Sequence, residues 1–159
     1  MKITIVCVGK IKEKFYQDAI REYEKRLSRY ATLSIVEVKD EKTKEQASAL
    51  EEKLVKDTEG ERILKNIRED GYVIALAIEG KPLDSVELSE KIAALGLGGT
   101  SHIYFVIGGS LGLSEAVLKR ADFKISFSRM TFPHQLMRVI LLEQIYRSYR
   151  IMNHEPYHK

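Results

Sequence analysis

Residues Tyr72–Glu79 read YVIALAIE, a nearly unbroken apolar run that begins directly after Asp70-Gly71. A strand wetted on one face alternates apolar and polar residues. A run without alternation suits a strand covered on both faces, the condition of a parallel sheet held between helices. Asp70-Gly71 provides the turn that leads into it.

The flanking sequence fits the same architecture. Upstream, MKITIVCVG predicts a strand closed by Gly9. Between Glu13 and Tyr30, the residues Tyr16, Ile20, Tyr23, Leu27 and Tyr30 recur at spacings of four and three, which is one helix face. Leu33–Val38 (LSIVEV) predicts a second strand, followed by a charged helical stretch from about Lys44 to Ile67. Downstream, Asp84 and Glu87 fit a capping box opening a helix that stops near Gly96. His102–Ile107 (HIYFVI) predicts a fourth strand, with a glycine loop and a short helix from about Ser114 after it. A fifth strand over Phe123–Ser128 and a long helix over His134–Met152 complete the chain. Strands alternating with helices predict an α/β fold, a mostly parallel sheet covered by helices on both faces. In such sheets ligands bind beyond the carboxyl ends of the strands. That directs attention to the segments after Glu79, Ile107 and Ser128.

At 159 residues the chain suits a single domain, residues 1–159, with room for a substantial core. Its composition, 44% hydrophobic and 31% charged, is that of a globular protein and excludes a disordered or fibrous class. No apolar stretch is long enough to cross a bilayer, so no membrane partner is expected. The lone cysteine, Cys7, cannot pair within the chain and reads as a small buried hydrophobe, which suits a reducing cytoplasm. The net charge of +3 is unevenly spread. Residues 1–36 carry eight Lys/Arg against four Asp/Glu (+4), residues 37–70 eight against eleven (−3), and residues 71–118 two against five (−3). Residues 119–159 carry eight against three (+5), which makes that end the expected landing site for a polyanion.

The glycine loop Gly108-Gly109-Ser110-Leu111-Gly112 admits three chemical readings. It matches the G-x-S-x-G nucleophile elbow, and Ser110, Asp122 and His134 follow in the hydrolase order. Yet Ser114, followed by Glu115, looks like the helix cap, which leaves Ser110 out on the loop, and Asp122 falls before its strand. A dinucleotide loop is the second reading; the first spacing and the acid about twenty residues on are both missing. The third reading is a close backbone approach to a flat nucleoside without phosphates, such as S-adenosylmethionine. A turn shaped by packing alone would look the same. On the ligand reading, Gly108 tolerates no bulk because backbone meets ligand, and Ser110 is dispensable.

The last residues, NHEPYHK (Asn153–Lys159), contain H-E-x-x-H. Zinc proteases place those histidines on one helix face. Pro156 inside the repeat removes an amide donor and pushes Glu155 away from helical angles, so the helix is not expected. Only His102, His134 or Cys7 could complete a site from afar, and no metal is expected. In the long helix, Met137, Ile140, Leu141 and Ile145 make one apolar face, with Val139, Leu142 and Tyr146 on the other side. The second face predicts a homodimer contact through Leu142 and Tyr146.

Three blocks together are distinctive: FVIGGSLGLS (105–114), ISFSRMTFPHQLMRVILLEQIYRSYRI (125–151) and NHEPYHK (153–159). The chain, over its whole length, resembles the ribosomal RNA large subunit methyltransferase H family of the SPOUT methyltransferases. That resemblance implies a C-terminal trefoil knot, which pattern reasoning would reject because knots are rare. It further implies a cytoplasmic homodimer that uses S-adenosylmethionine to methylate ring nitrogen N3 of a pseudouridine in 23S ribosomal RNA of the assembled ribosome. Carried over by motif, cofactor contacts fall at Leu76, Gly108, Phe127, Ser128, Arg129, Met130, Thr131 and Phe132. The family ending of Pro, Tyr, His and a basic residue falls on Pro156, Tyr157, His158 and Lys159, with lysine where some members carry arginine. Lysine keeps the charge and loses the planar fork.

A uracil-like ring nitrogen attacks poorly until its proton leaves, so a base and a cation near the flanking carbonyls would help. Histidine is the side chain that ordinarily exchanges protons near neutral pH, which makes His158 the candidate base. Lys159 or Arg129 is the candidate electrostatic partner, and Tyr157 a stacking platform for the base. The competing reading is a catalytically silent RNA-binding protein that keeps the fold.

Overall fold

The computed structural model describes all of residues 1–159. Two apolar layers organise it. Strand β1 (Lys2–Val8) sends Ile3, Ile5 and Cys7 to one layer and Val6 and Val8 to the other, all five buried. The other strands of the sheet are β2 (Thr32–Val38), β3 (Tyr72–Pro82), β4 (His102–Ile107) and β5 (Phe123–Ser126). The order is β2-β1-β4-β3-β5 and every pairing is parallel. YVIALAIE behaves as expected of a strand covered twice: Val73 packs into one layer and Ile74 into the other.

Helices α1 (Lys14–Leu27), α3 (Ser85–Leu97) and α5 (His134–Met152) cover the larger layer, centred on Phe105, Leu141 and Ile145. Helices α2 (Ala49–Leu64) and α4 (Glu115–Arg120) cover the smaller one, with Ile63, Tyr104 and Val117. Each fully buried side chain of this size contributes about 1.5–3 kcal/mol. The Cys7 thiol is pushed up to about 12 by burial, so it stays protonated and unreactive.

Three kinds of expectation need correction: the helix starts, the end of β5 and the faces of α5. Helix α2 starts at Ala49, later than the charge pattern suggests, because Ser48 and Glu51 close a complete capping box. At α3 only half of the expected box forms: Asp84 accepts Glu87 N at 2.8 Å. Strand β5 ends at Ser126, and Phe127 and Ser128 already belong to the loop, where Met130 N donates to Ser128 Oγ at 2.9 Å. The third correction concerns α5. Leu142 is 0% exposed within one chain and belongs to its own core, and Tyr146 packs against Tyr23, Tyr30 and Tyr157. Leu142 is therefore closed to a second chain, whereas Tyr146 stays half-buried. Leu136, Ile140 and Ile151 instead are the half-buried apolar residues of α5 left outside the core cluster.

Strand β3 carries a bulge that matters for the site. Leu76 and Lys81 both register with Ile125, so residues 77–80 bow out of the β3–β5 pairing. Gly80 makes the return possible, since a Cβ there would lie 2.6–2.9 Å from the Ile125 backbone.

Candidate active site

The bow in β3, the loop after β4 and the segment after β5 enclose a cavity of about 640 Å³ at the carboxyl edge of the sheet. Its walls include Leu76, Ala77 and Ile78 from β3, and the whole Gly108–Gly112 loop. Phe127, Ser128, Met130, Thr131 and Phe132 close another side, with Pro133, His134 and Met137 from the start of α5. Seven of the eight expected cofactor positions thus line one cavity. Arg129 is the exception: it is exposed and takes no part in the lining. No Lys, Arg, Asp or Glu lines the cavity. A phosphate group would find no cationic side chain there, whereas backbone amides, hydroxyls and apolar walls suit the base and sugar of a nucleoside.

The glycine loop is shaped by its own closure. A Cβ on Gly108 would lie 2.8 Å from the Gly112 carbonyl carbon and 2.9 Å from its oxygen. The bar to bulk at Gly108 therefore comes first from the loop backbone, not from a ligand as the sequence suggested. Behind the loop, buried Glu59 of α2 accepts Glu41 N at 3.0 Å and faces Gly109. Burial raises its pKa.

An ion pair with its arginine buried and its glutamate at the surface anchors the start of α5 beside the cavity. Arg138, 3% exposed, donates from Nη1 to Glu37 Oε2 at 2.6 Å and from Nη2 to Gly9 O at 3.2 Å. One turn earlier, His134 has its pKa lowered by burial and then by Arg138, so its ring is neutral where it meets the cavity. Sequence reasoning passed over both Arg138 and Glu59. A signal existed for the first: a single cation inside MRVILL, three and seven residues before the inward-facing Leu141 and Ile145.

The tail lies elsewhere. After α5, His154 takes a left-handed backbone (φ 54°) and Glu155 turns back to Arg150 Nη1 at 2.5 Å and Tyr30 Oη at 2.8 Å. Tyr157 donates to Glu143 Oε1 at 2.9 Å, under the Arg147 guanidinium and edge-on to Tyr146. Burial, and next that bond, push its hydroxyl up to about 12. The Tyr157 ring, the candidate stacking platform, is thus held against α5. His158 Nδ1 lies 3.2 Å from Arg147 Nη1. A guanidinium only donates, so Nδ1 is the acceptor. Lys159 is exposed. None of Tyr157, His158 and Lys159 lines the cavity of its own chain.

The competing motifs do not assemble. Asp122 binds Val73 N at 2.8 Å near the amino end of β3, the edge opposite Ser110, so Ser110, Asp122 and His134 form no triad. His154 and His158 share no helix face, Glu155 is committed to Arg150, and no group of three or more His, Cys, Asp or Glu is close enough to hold a metal. No helix is long and apolar enough to cross a membrane.

This sheet and this cavity define an α/β protein with a small-molecule site at the carboxyl edge of its strands. A family model described as "Predicted SPOUT methyltransferase" matches residues 1–158. The chain is 67% identical over 159 residues to a protein of Bifidobacterium adolescentis named ribosomal RNA large subunit methyltransferase H, with all of both chains covered. It is 62% identical, again over the full length of both, to the protein of that name from Alkaliphilus oremlandii. Among solved structures it resembles a probable methylase family protein from Haemophilus influenzae, with a TM-score of 0.55 at 15% identity. That match covers 99% of this chain and 70% of the other, and concerns the fold alone. The chain belongs to the SPOUT methyltransferases, and within them to the ribosomal RNA large subunit methyltransferase H family.

Proposed function

We propose that this protein methylates ring nitrogen N3 of a pseudouridine in 23S ribosomal RNA of the assembled ribosome, in the cytoplasm, with S-adenosylmethionine as donor. The observation that supports this most is the uncharged cavity between the glycine loop and Phe127–Phe132. It has the size of a small-molecule site, and its walls fit a nucleoside that carries no phosphate. Leu76, Gly108, Phe127, Ser128, Met130, Thr131 and Phe132 would hold it there, with Arg129 at the edge. When bound, the donor supplies an electrophilic methyl group on a sulfonium whose departure leaves a neutral thioether.

The chain's own groups handle the proton and the charge. The N3 proton must leave as the nitrogen lone pair takes the methyl group. His158 accepts that proton, and Lys159 or Arg129 stabilises the negative charge spreading onto the ring carbonyls. For His158 to act through Nδ1, its contact with Arg147 must open, so RNA binding and tail release belong together. Tyr157, with its hydroxyl kept protonated, fixes the tail to α5 and positions His158.

The tail and the cavity of one chain lie apart, so a second copy supplies the missing half. In this homodimer the outward residues Leu136 and Ile140 of α5 make the contact, and the tail of one chain reaches the cavity of the other. The test is a pair of measurements on the full chain. Calorimetry should show S-adenosylmethionine binding, and nucleoside mass spectrometry should show N3-methylpseudouridine on ribosomes that previously lacked it. A folded chain that binds ribosomes and no S-adenosylmethionine would overturn the proposal.

A further inference from the structure

The segment Gly9-Lys10-Ile11-Lys12-Glu13 and the first turn of α1 have no part in the site described so far. Their conformation is nevertheless fixed. Gly9 O is held by Arg138, and Gln17 Nε2 donates to Ile11 O at 2.8 Å, with the Ile11 side chain buried. Turning Ile11 inward leaves Lys10 and Lys12 exposed on either side of it. Neither takes part in an ion pair, whereas Lys14 is engaged by Asp18 at 2.9 Å. Beside them Phe15 is 66% exposed and touches another ring only at Tyr16, 4.3 Å between centroids. The inward face of α1 is already supplied by Ile20 and Leu27, so Phe15 adds nothing to the core.

The location is the second observation. A Cβ at Gly9 would lie 3.8 Å from His134 Nε2, and Glu13 is among the charges that His134 meets. The patch therefore adjoins the mouth of the cavity. Inside the cavity there is no charge; just outside it stand two unpaired ammonium groups and a bare aromatic ring. Ammonium groups on flexible stems suit backbone phosphates, and an exposed ring suits the face of an unstacked base. A symmetric contact with a second copy would set the same lysines against each other.

Building on the proposed function, we infer that Lys10, Lys12 and Phe15 form the docking surface for a single-stranded stretch of ribosomal RNA beside the modified nucleotide. The lysines neutralise two phosphates, and Phe15 stacks on an unpaired base. The experiment compares Phe15→Ala, Phe15→Trp and the double variant Lys10→Ala/Lys12→Ala, all full length, on ribosomes lacking the modification. Phe15→Ala should raise KM for ribosomes about tenfold with kcat within about twofold, and Phe15→Trp should restore it. The double variant should raise KM and reduce the slope of log KM against log salt by about 1.4, some 0.7 for each phosphate. S-adenosylmethionine affinity and sedimentation should match wild type in all three. Unchanged KM in both Phe15→Ala and the lysine variant would overturn the inference. So would a shift in sedimentation, which would mark a contact between copies, or a loss of cofactor affinity, which would make the segment part of the cavity wall. Wild-type protein that binds S-adenosylmethionine and leaves ribosomes unmethylated would instead remove the substrate reading itself, and this surface with it.

Discussion

Tyr157 gives its hydroxyl hydrogen to Glu143, and Arg147 grips the same carboxylate from Nε and Nη2, the latter at 2.7 Å. One acidic side chain in the middle of α5 thus sets the position of the C-terminal tail. Tyr157→Phe removes one bond and leaves Glu143 satisfied by Arg147. The expected cost is about 1 kcal/mol of stability, with faster hydrogen exchange in the last residues. Glu143→Ala should free the tail more completely. Equal exchange in wild type and both variants would show that the contact does not hold the tail.

Deleting Tyr157–Lys159 should abolish RNA methylation and leave S-adenosylmethionine affinity within about threefold, because the cavity walls come from the sheet loops and α5 of its own chain and include no tail residue of that chain. Activity should also survive a strong chelator. A truncated chain that methylates ribosomes normally, or wild-type turnover that stops on chelation, would contradict the roles proposed for these residues.

Gly108→Ala should disturb the loop even without cofactor, since the new methyl group meets the Gly112 backbone. Relief of an overpacked contact costs about 1–3 kcal/mol, so the melting temperature should fall together with cofactor affinity. Ser110→Ala, at an exposed position, should change neither. A Ser110→Ala variant that binds cofactor and loses turnover would give that hydroxyl a chemical role.

Glu37→Gln should be worse than Arg138→Met. The first leaves a guanidinium at 3% exposure without its counter-ion; the second leaves a carboxylate that is 36% exposed and can be hydrated. Breaking the pair from the glutamate side should cost about 1–3 kcal/mol, measured as a shift in the urea midpoint. The reverse order would mean that water reaches Arg138.

Burial lowers the pKa values of His102 and His134 below the ordinary 6.5. The unfolded chain therefore takes up those two protons first as the pH falls, and stability drops across the window from about 6.5 down to the lowered folded values. Above that window their contribution is complete. Urea midpoints measured at pH about 7.5 and about 5.5 should differ, and His134→Gln should shrink the difference. A variant with the full acid sensitivity of wild type would clear His134 of any part in it.

Much of this was legible in the residues because it depends on local period and burial. YVIALAIE announced a strand covered twice, and the spacing from Tyr16 to Leu27 announced the α1 face. The glycine loop and Phe127–Phe132 converge on one cavity, as the rule of carboxyl ends leads one to expect. What escaped was long-range. Nothing near Leu142 in sequence tells that α1 and the sheet use up its surface, so the helix offered Leu142 to a second face although one chain buries that side chain fully. Arg138 and Glu37 lie 101 residues apart, and Tyr157 folds back over fourteen residues to Glu143. Such pairings depend on the path of the whole chain, to which periodicity is blind.

The strand order has a consequence for how the chain comes into being. β1 is the first element made, yet it sits inside the sheet, and its β4 neighbour pairs Lys2 with His102. During synthesis one edge of β1 must wait for some hundred residues, and its apolar face waits longer still for α5, the last helix. Before β4 emerges, folding from the amino terminus can therefore pair β1 only with β2 and cover the pair with α1 and α2, leaving one edge of β1 with open hydrogen-bonding groups. Contacts of such long sequence separation slow the search and lengthen exposure to aggregation. The amino-terminal half expressed alone should therefore fail to form a stable fold, an outcome that circular dichroism would check.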